Sequence, residues 1–316
     1  MNCELQPATI ASVASIHRQP AQWHLRTRTL ELGVRTLVMG VVNITPDSFS
    51  DGGAFFSTEA AVARCMQCLD EGADILDLGA ESTRPGSRAG PPDAAVSAQE
   101  EQARLLPVLE GILRARPAAI VSVDTYKAPT ARAAFRAGAE IINDVSGFSW
   151  DAGMALVCSQ ARAGLVLMHT RGRPEEWRSL ERLDADAVLD SVRSGLAESL
   201  QTARAAGVSA DAIVLDPGYG FGKRFEENYA VLARQAQLLA LGRPLLAGLS
   251  RKSFLGYTLA PLHAGEPAPP AEREAASIAA LTAAILHGAS IVRVHSVRSA
   301  VEAARIADAI LAASPA

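Results

Sequence analysis

Polar side chains that could bind a small ligand follow short apolar segments at eight places in this chain. At the first of them, the apolar run 37–42 ends at Asn43, and a loop rich in hydroxyls, carboxylates and glycine continues to Gly53. Proline, aspartate, serine and glycine also dominate ordinary turns, so this one stretch does not distinguish a site from a turn. The polar residues that close the eight apolar runs are Asn43, Glu81, Asp124, Asn143, His169, Asp216, Ser250 and His295.

One group of these residues suits a flat heterocycle. Asp124, Asn143 and Asp216 together offer several acceptor oxygens and one amide. A carboxylate binds a guanidine-like pair of N–H donors through two parallel hydrogen bonds, so the group predicts a ring that carries such donors. Taken singly, Asp124 or Asn143 is more often the N-cap of the next helix. Independent caps at the end of every apolar run explain the whole pattern poorly.

A second group suits a phosphate-type anion. Its members are Asn43, Ser82, Thr83, Arg251, Lys252, Arg293 and His295. Arg251 and Lys252 add positive charge near the start of a predicted helix, which is itself a favourable place for an anion. A pyrophosphate normally brings Mg2+, which prefers oxygen ligands and keeps several waters. We therefore expect Asn43 to supply one oxygen to Mg2+, whereas no cluster of His and Cys predicts a zinc site.

Short apolar runs and longer amphipathic stretches alternate along the chain. The runs have the usual length of strands, and parallel strands need helical crossovers between them. The pattern predicts an α/β protein with a (β/α)8 TIM barrel, and a doubly wound open sheet is the alternative. The predicted strands are 37–42, 75–78, 120–123, 140–142, 165–168, 213–215, 245–247 and 291–294. The predicted helices are 57–71, 98–116, 129–137, 151–163, 184–206, 225–241, 271–287 and 299–313.

A TIM barrel would bring the polar residues together, because active sites in this architecture lie at the carboxyl ends of the strands. We assign residues 37–316 to a single catalytic barrel domain. Residues 1–36 are predicted to be an N-terminal extension, in which a short strand at 27–33 plugs the bottom of the barrel.

Composition argues against several other classes of protein. The 316 residues are 49% hydrophobic and 20% charged, with a net charge of −4 and no basic cluster that would suit nucleic acid. No apolar run reaches the roughly 18 residues that a membrane helix needs, and we see no secretory signal. The sequence has four cysteines, too few for a disulfide framework in a chain of this size. Cys65 and Cys68 fall on an apolar helical stripe, so we interpret them as buried thiols in a cytoplasmic protein.

Four segments resemble the signature stretches of the dihydropteroate synthases, a family of pterin-binding enzymes. They are Asn-Ile-Thr-Pro-Asp-Ser-Phe-Ser-Asp-Gly-Gly at 43–53, Glu-Ser-Thr-Arg-Pro-Gly at 81–86, Leu-Asp-Pro-Gly-Tyr-Gly-Phe-Gly-Lys at 215–223 and Ser-Arg-Lys-Ser-Phe-Leu-Gly at 250–256. The resemblance implies a (β/α)8 barrel that forms a homodimer. It also implies a Mg2+-dependent condensation of 6-hydroxymethyl-7,8-dihydropterin pyrophosphate with p-aminobenzoate in folate synthesis.

The same resemblance implies a role for individual residues. The pterin would be bound by Asp124, Asn143, Met168, Asp216, Phe221, Lys252 and Arg293. The pyrophosphate would be bound by Asn43, Thr83, Arg293 and His295, with Asn43 also on Mg2+. The p-aminobenzoate would be bound by Phe49, Thr83, Arg84, Pro85, Lys252 and Ser253. The catalytic residues would be Asp124, Lys252, Arg293 and His295.

The chain departs from the usual family pattern at a few positions. Ala80 replaces a glycine, and Ser296 replaces the usual aspartate after His295. Two other functions are alternatives. A pterin-binding methyltransferase would use the same acids but has no reason for a diphosphate site, and a non-catalytic paralogue would bind pterin without turnover.

Overall fold

Eight parallel strands close into a barrel in the computed structural model, which describes residues 18–44, 58–81 and 96–313. A short antiparallel hairpin, β1 Ala21–His24 and β2 Thr29–Leu32, precedes it. The barrel strands are β3 Leu37–Asn43, β4 Ile75–Gly79, β5 Val121–Asp124, β6 Ile141–Asp144, β7 Gly164–Met168, β8 Ile213–Asp216, β9 Leu245–Ala247 and β10 Ala289–Val294. Their order is sequential, and β10 pairs with β3 to close the ring. The TIM barrel is therefore confirmed, and the open sheet is wrong.

Helices connect the barrel strands and cover the outside of the ring. In the described part of the chain they are α1 Thr58–Asp70, α2 Ala98–Ala115, α3 Ala128–Arg136, α4 Met154–Ala161, α5 Ala185–Ala205, α6 Phe225–Ala233, α7 Ser253–Thr258, α8 Glu274–Leu286 and α9 Val297–Ala313. None of the described helices is both long and apolar enough to cross a membrane. Cys65 and Cys68 lie on α1 with no exposed surface, as interpreted from their spacing.

The helix predicted over 225–241 is wrong as one element. The α-helix ends at Ala233, and a 3-10 segment, Gln235–Leu241, follows. The side chain of Gln235 is fully buried and donates to the carbonyl oxygens of Ala284 and His287, at 3.0 and 3.2 Å. Those tertiary hydrogen bonds accompany the change in helix type. The short helix α7 was not predicted, since six residues are too few to show an apolar period.

Strand side chains alternate between two apolar layers. Residues that point outward pack under the helices and form the larger core cluster. Residues that point inward at the amino ends of the strands fill the floor of the barrel with apolar side chains. This floor cluster consists of Trp23, Leu25, Leu32, Leu37, Met39, Ile75, Ile141, Val166, Val214, Leu246 and Ile291.

The N-terminal hairpin closes the floor. Trp23 has no exposed surface, and its indole nitrogen donates to the carbonyl oxygen of Ala212 at 2.9 Å. Gly164, the first residue of β7, allows the close approach, because a Cβ there would lie 2.4 Å from a methyl carbon of Leu25. The strand β2 thus lies within the predicted plug at 27–33, while the domain boundary at residues 36 and 37 stays a prediction.

Candidate active site

The register of the strands places several polar strand ends beside one another. Asn43 pairs with Gly79, Gly79 with Asp124, and Asp124 with Asn143, from β3 to β6. Side chains two residues apart on a strand point to the same side. Asn143 lies two residues beyond the floor residue Ile141, so its carboxamide points into the barrel.

Side chains alternate in the same way along three further strands, β7, β8 and β10. Each carries a floor residue and, two positions later, a residue that the sequence predicted for the site. These pairs are Val166 with Met168, Val214 with Asp216, and Ile291 with Arg293. The barrel interior is therefore apolar at its amino end and polar at its carboxyl end.

Arg293 lies at the centre of the charged residues. Its Nη2 lies 2.7 Å from Oδ2 of Asp124, and its Nε lies 2.6 Å from Oδ2 of Asp77. The Arg293 side chain is 21% exposed, while Asp77 is fully buried. Two carboxylates from neighbouring strands thus hold one guanidinium, and the sequence did not predict Asp77 as a member of the site.

Asn143 joins the same network through Asp77. Its Nδ2 donates to Oδ2 of Asp77 at 3.1 Å, and both residues are buried. A carboxylate without a proton can only accept, so the carboxamide presents its amino group to Asp77. Its oxygen is the acceptor that remains for a ligand.

Asp216 lies on the opposite side of Arg293. Gly248 has no side chain, and a Cβ placed there would lie 3.7 Å from Oδ2 of Asp216 and 3.9 Å from Cβ of Arg293. The side chains of Asp216 and Arg293 therefore lie on either side of the space beside Gly248. The other carboxylate oxygen, Oδ1, accepts from the backbone nitrogen of Gly218 at 2.7 Å. Burial raises the pKa of Asp216, whereas that hydrogen bond and the charge of Lys252 lower it.

Lys252 supplies a second cation from the loop after β9. Its Nζ lies 4.2 Å from the ring centre of Phe221 and its Cδ 3.3 Å from where a Cβ of Gly220 would be. Burial lowers the pKa of Lys252 to about 8, against the attraction of Asp216, which raises it. Lys252, Asp216 and Arg293 are therefore close enough to influence one another's charge.

Apolar side chains form one wall of the site. Met168 is buried at the end of β7, beside Asp216 in the register. It belongs to a small cluster with Tyr126 and Val145, against which Phe221 and Trp150 pack. A flat ligand would thus meet an apolar and aromatic surface beside acceptor oxygens, while the pterin-binding roles of Met168 and Phe221 stay predictions.

Asn43 and Asp124 both lie near Gly79, which has no side chain. A Cβ added to Gly79 would lie 3.8 Å from Oδ1 of Asn43 and 3.7 Å from Oδ2 of Asp124. Burial raises the pKa of Asp124, while the guanidinium of Arg293 opposes the rise. The space beside Gly79 is therefore lined by a carboxamide and a carboxylate oxygen, the type of ligand that Mg2+ prefers.

His295 lies beyond Arg293 on the same face of its strand. Its Nδ1 is 3.1 Å from Oγ of Ser250, which follows β9. Ser296, the replacement for the usual aspartate, donates instead to Oε2 of Glu274 at 2.8 Å. The imidazole is therefore contacted by a hydroxyl from the neighbouring strand end.

The remaining predicted site residues divide into two sets. Ser253 is exposed and begins α7, next to Lys252. Phe49, Thr83, Arg84 and Pro85 lie outside the described residues, as does Ser82.

Asp144 caps a turn, as expected for a residue whose side chain points away from the barrel interior. Its Oδ1 accepts from the nitrogen and the hydroxyl of Ser146, at 2.8 and 2.7 Å, and Oδ2 accepts from the nitrogen of Phe148. These contacts occupy both oxygens and leave no place for Asp144 in the ligand site.

Three residues at the site were missed by sequence reasoning. Asp77 interrupts the apolar run of β4 at an inward position, and that charge within a buried strand was the available signal. Ser250 was named as a polar strand-end residue and as part of a motif, but without a role of its own. Lys223 is buried, and its Nζ donates to the carbonyl oxygens of Gly218, Phe221 and His169.

Comparison with known proteins gives one family. A family model described as pterin binding enzyme matches residues 39–295 of the 316-residue chain. The chain is 40% identical to the dihydropteroate synthase of Bacillus subtilis over 288 residues, covering 91% of this chain and 93% of that protein. It is 41% identical to the mitochondrial folate synthesis bifunctional protein of Pisum sativum over 293 residues, covering 89% of this chain but 55% of that longer protein.

A solved structure agrees with these matches. The dihydropteroate synthase of Xanthomonas albilineans with 4-aminobenzoic acid aligns with a TM-score of 0.81 at 39% identity, covering 94% of this chain and all of that one. The barrel, the cluster of strand-end residues and the identity over most of both chains agree. The chain belongs to the pterin-binding enzyme family.

Proposed function

We propose that this protein is a dihydropteroate synthase. It transfers the dihydropterin methylene group of 6-hydroxymethyl-7,8-dihydropterin pyrophosphate to the amine of p-aminobenzoate and releases pyrophosphate. The observation that carries the proposal is the pair of carboxylates, Asp124 and Asp216, that flank Arg293 at the carboxyl ends of the barrel strands. Acceptors for a pterin and a cation for its diphosphate thus occur in one place.

The acceptors fit the donor edge of a pterin. Its ring carries guanidine-like N–H groups, which Asp216 can bind through two parallel hydrogen bonds. The oxygen of Asn143 and the carboxylate of Asp124 accept further ring donors, and Lys252 donates to a ring acceptor. Phe221 and Met168 cover the ring with apolar surface.

The reaction needs no nucleophile from the protein, because the arylamine is neutral near pH 7 and attacks by itself. A C–N bond forms at the pterin methylene, the C–O bond to pyrophosphate breaks, and the amine loses a proton. Arg293 and His295 favour the leaving anion, while Asp124 and Asp216 favour positive charge that develops on the ring. This is stabilisation by fixed charges that require little reorganisation.

A magnesium ion fits the donor set at the end of β3. The carboxamide oxygen of Asn43 would hold it, and the empty position at Gly79 leaves room beside it. Mg2+ takes oxygen ligands and keeps several waters, so one protein oxygen is enough beside a diphosphate. When bound, the ion neutralises negative charge on the leaving pyrophosphate.

The p-aminobenzoate site is proposed beside Lys252 and Ser253. Ser253 begins α7 directly after Lys252, and this adjacency supports a position for p-aminobenzoate beside the proposed pterin site. The resemblance assigns the other contacts to Phe49, Thr83, Arg84 and Pro85. The roles of these four residues stay predictions.

The decisive experiment measures pyrophosphate release with each substrate alone and with both, in the presence and absence of Mg2+. A dihydropteroate synthase releases pyrophosphate only when both substrates and the metal are present, and it forms 7,8-dihydropteroate in equal amount. A methyltransferase would show no release. A non-catalytic paralogue would bind the pterin diphosphate without any release, and either result would reject the proposal.

We also propose that the protein is a homodimer in the cytoplasm. The resemblance suggests the assembly, and the buried Cys65, Cys68 and Cys158, which form no disulfide among the described residues, fit a reducing compartment. Light scattering coupled to size-exclusion chromatography would give a mass near twice that of the 33.1 kDa chain. A single-chain mass at micromolar concentration would contradict the dimer.

A further inference from the structure

Asp77 is a buried carboxylate within the barrel that has no role in the proposed reaction. It lies in the middle of β4 and has no exposed surface. The floor residue Ile75 precedes it by two positions and Gly79 follows it by two, so all three face the interior. Asp77 therefore lies between the apolar floor and the ligand site.

One oxygen of Asp77 holds two residues of the site. Its Oδ2 accepts from Nε of Arg293 at 2.6 Å and from Nδ2 of Asn143 at 3.1 Å. A second hydrogen bond, from Nη2 of Arg293 to Asp124 at 2.7 Å, fixes the plane of the guanidinium at another point. The remaining N–H donors of Arg293 stay available for an anion.

The other oxygen of Asp77 is buried but accepts no hydrogen bond from the described residues, which is unusual in a folded core. Its Oδ1 is buried without a hydrogen-bond partner, and so is Oγ of Ser122. The two residues are register partners on β4 and β5. Burying polar atoms without partners costs free energy, and apolar residues of similar volume are often as stable as a buried ion pair or more so. Stability alone therefore does not account for a carboxylate here.

We propose that Asp77 is the positioning residue of the site. It holds the guanidinium of Arg293 and the carboxamide of Asn143 in the orientations in which they meet the substrate, and it does not touch the substrate itself. This inference rests on the proposed function, because the substrate in question is the pterin diphosphate.

Two variants separate positioning from charge. In Asp77→Asn, the amide oxygen takes the place of Oδ2 and keeps an acceptor for both donors, while the amide nitrogen faces the side of Ser122. In Asp77→Leu, the volume is similar but no acceptor remains. We expect Asp77→Leu to lower kcat/KM for the pterin diphosphate at least about a hundredfold, and Asp77→Asn to stay within about tenfold of the wild type.

Binding gives a second measurement that does not depend on turnover. The Kd for the pterin diphosphate, measured by calorimetry without p-aminobenzoate, should rise in Asp77→Leu and be largely restored in Asp77→Asn. A merely structural residue would change the melting temperature and leave this Kd unchanged. If Asp77→Leu does not fold, Asp77→Ser replaces it, since its hydroxyl is too short to reach both donors, and the same loss of binding is expected.

The matched control is Asp74→Leu. Asp74 also accepts two hydrogen bonds from an arginine, Arg35, at 2.5 and 2.9 Å, but it lies near the amino ends of the strands. Its loss should leave the Kd and kcat/KM unchanged. An active wild type with a normal Asp77→Leu variant would overturn the inference and keep the proposed function. An inactive wild type that does not bind the pterin would overturn both.

Discussion

The charge of Lys252 depends on its surroundings. Burial favours the neutral amine, while Asp216 and Asp124 favour the ammonium. The side chain lies over Phe221, and no carboxylate within salt-bridge distance holds it among the described residues. Its charge is thus available to a ligand rather than neutralised by a fixed partner.

Replacing Lys252 by alanine should lower kcat/KM by roughly two to four orders of magnitude, the range for loss of a key electrostatic group. The reason is that the pterin loses a charged hydrogen-bond donor to its ring. Steady-state kinetics would measure the change. Arg298→Ala is the control, because Arg298 is 73% exposed on α9 and pairs with Glu302 on the same helix. Near-normal turnover in Lys252→Ala would reject its assignment.

The pKa of Lys252 predicts how kcat/KM falls at alkaline pH. Its pKa of about 8 lies below the ordinary value of 10.5, so the charge is present below pH 8 and is lost above it. Since kcat/KM reports ionisations of the free enzyme, kcat/KM should fall above pH 8. Lys252→Arg, whose guanidinium stays charged, should keep some activity and lose this limb. An unchanged limb in that variant would assign it to another group.

Residue type and position were predictable for most of the site, but contacts were not. Asn43, Asp124, Asn143, Asp216 and Arg293 could be found because each lies at or near the carboxyl end of a strand, and these ends meet in a barrel. Asp77 could not be given a role, since its contacts with Arg293 join positions 216 residues apart in the chain. Only the closure of β10 on β3 creates that pairing.

At the scale of elements, the loop after β8 is held by one buried lysine. Nζ of Lys223 donates to the carbonyl oxygens of Gly218, Phe221 and His169, at 2.8, 3.3 and 3.4 Å. Burial lowers the pKa of Lys223 to about 7, but three acceptors surround the nitrogen and suit its ammonium form. The loop that carries Phe221 and begins at Asp216 is thus fixed from within.

Lys223→Met should destabilise the protein by about 2–4 kcal/mol, because buried carbonyl oxygens lose their donor. The shift of the urea midpoint would measure this loss. The KM for the pterin diphosphate should rise as well, since Phe221 moves with the loop. Arg182→Met is the control, because Arg182 is 64% exposed and its pair with Glu226 is at the surface. Equal urea midpoints for wild type and Lys223→Met would contradict the proposal that this lysine stabilises the loop after β8.

Element boundaries were less predictable than element types. The strands appeared as apolar runs because both of their faces are covered in a barrel. The helix predicted over 225–241 changes type after Arg234, where the buried side chain of Gln235 hydrogen-bonds to carbonyl oxygens at the end of α8. A single-sequence pattern carries no information about such distant carbonyl groups.

At the scale of the whole molecule, stability and chemistry occupy opposite ends of the barrel. The amino ends of the strands and the N-terminal hairpin form the apolar floor cluster. The carboxyl ends carry the charged site, in which buried polar atoms remain without partners. Buried charged and polar groups are therefore concentrated at the candidate site, while the apolar floor cluster stabilises the closed barrel.

This separation predicts that the floor can be weakened without changing the chemistry. Trp23→Ala removes a fully buried indole and its hydrogen bond to Ala212. The loss of a large buried aromatic side chain should cost about 3–5 kcal/mol. At a temperature well below its transition, kcat/KM should stay within about twofold of the wild type, because among the described residues the hairpin packs in the floor cluster and Met168 and Phe221 of the site pack in another.

Urea denaturation and steady-state kinetics on the same preparation would test both halves of this expectation. Val34→Ala is the control for stability, because Val34 is 70% exposed beside the hairpin. A fall in kcat/KM that follows the loss of stability would show that the floor sets the positions of the strand ends. Unchanged kcat/KM, with a urea midpoint well below that of Val34→Ala, would show that the strand ladders hold the site without the full packing of the floor. From β3 to β6 these ladders continue without a register shift up to the polar strand ends.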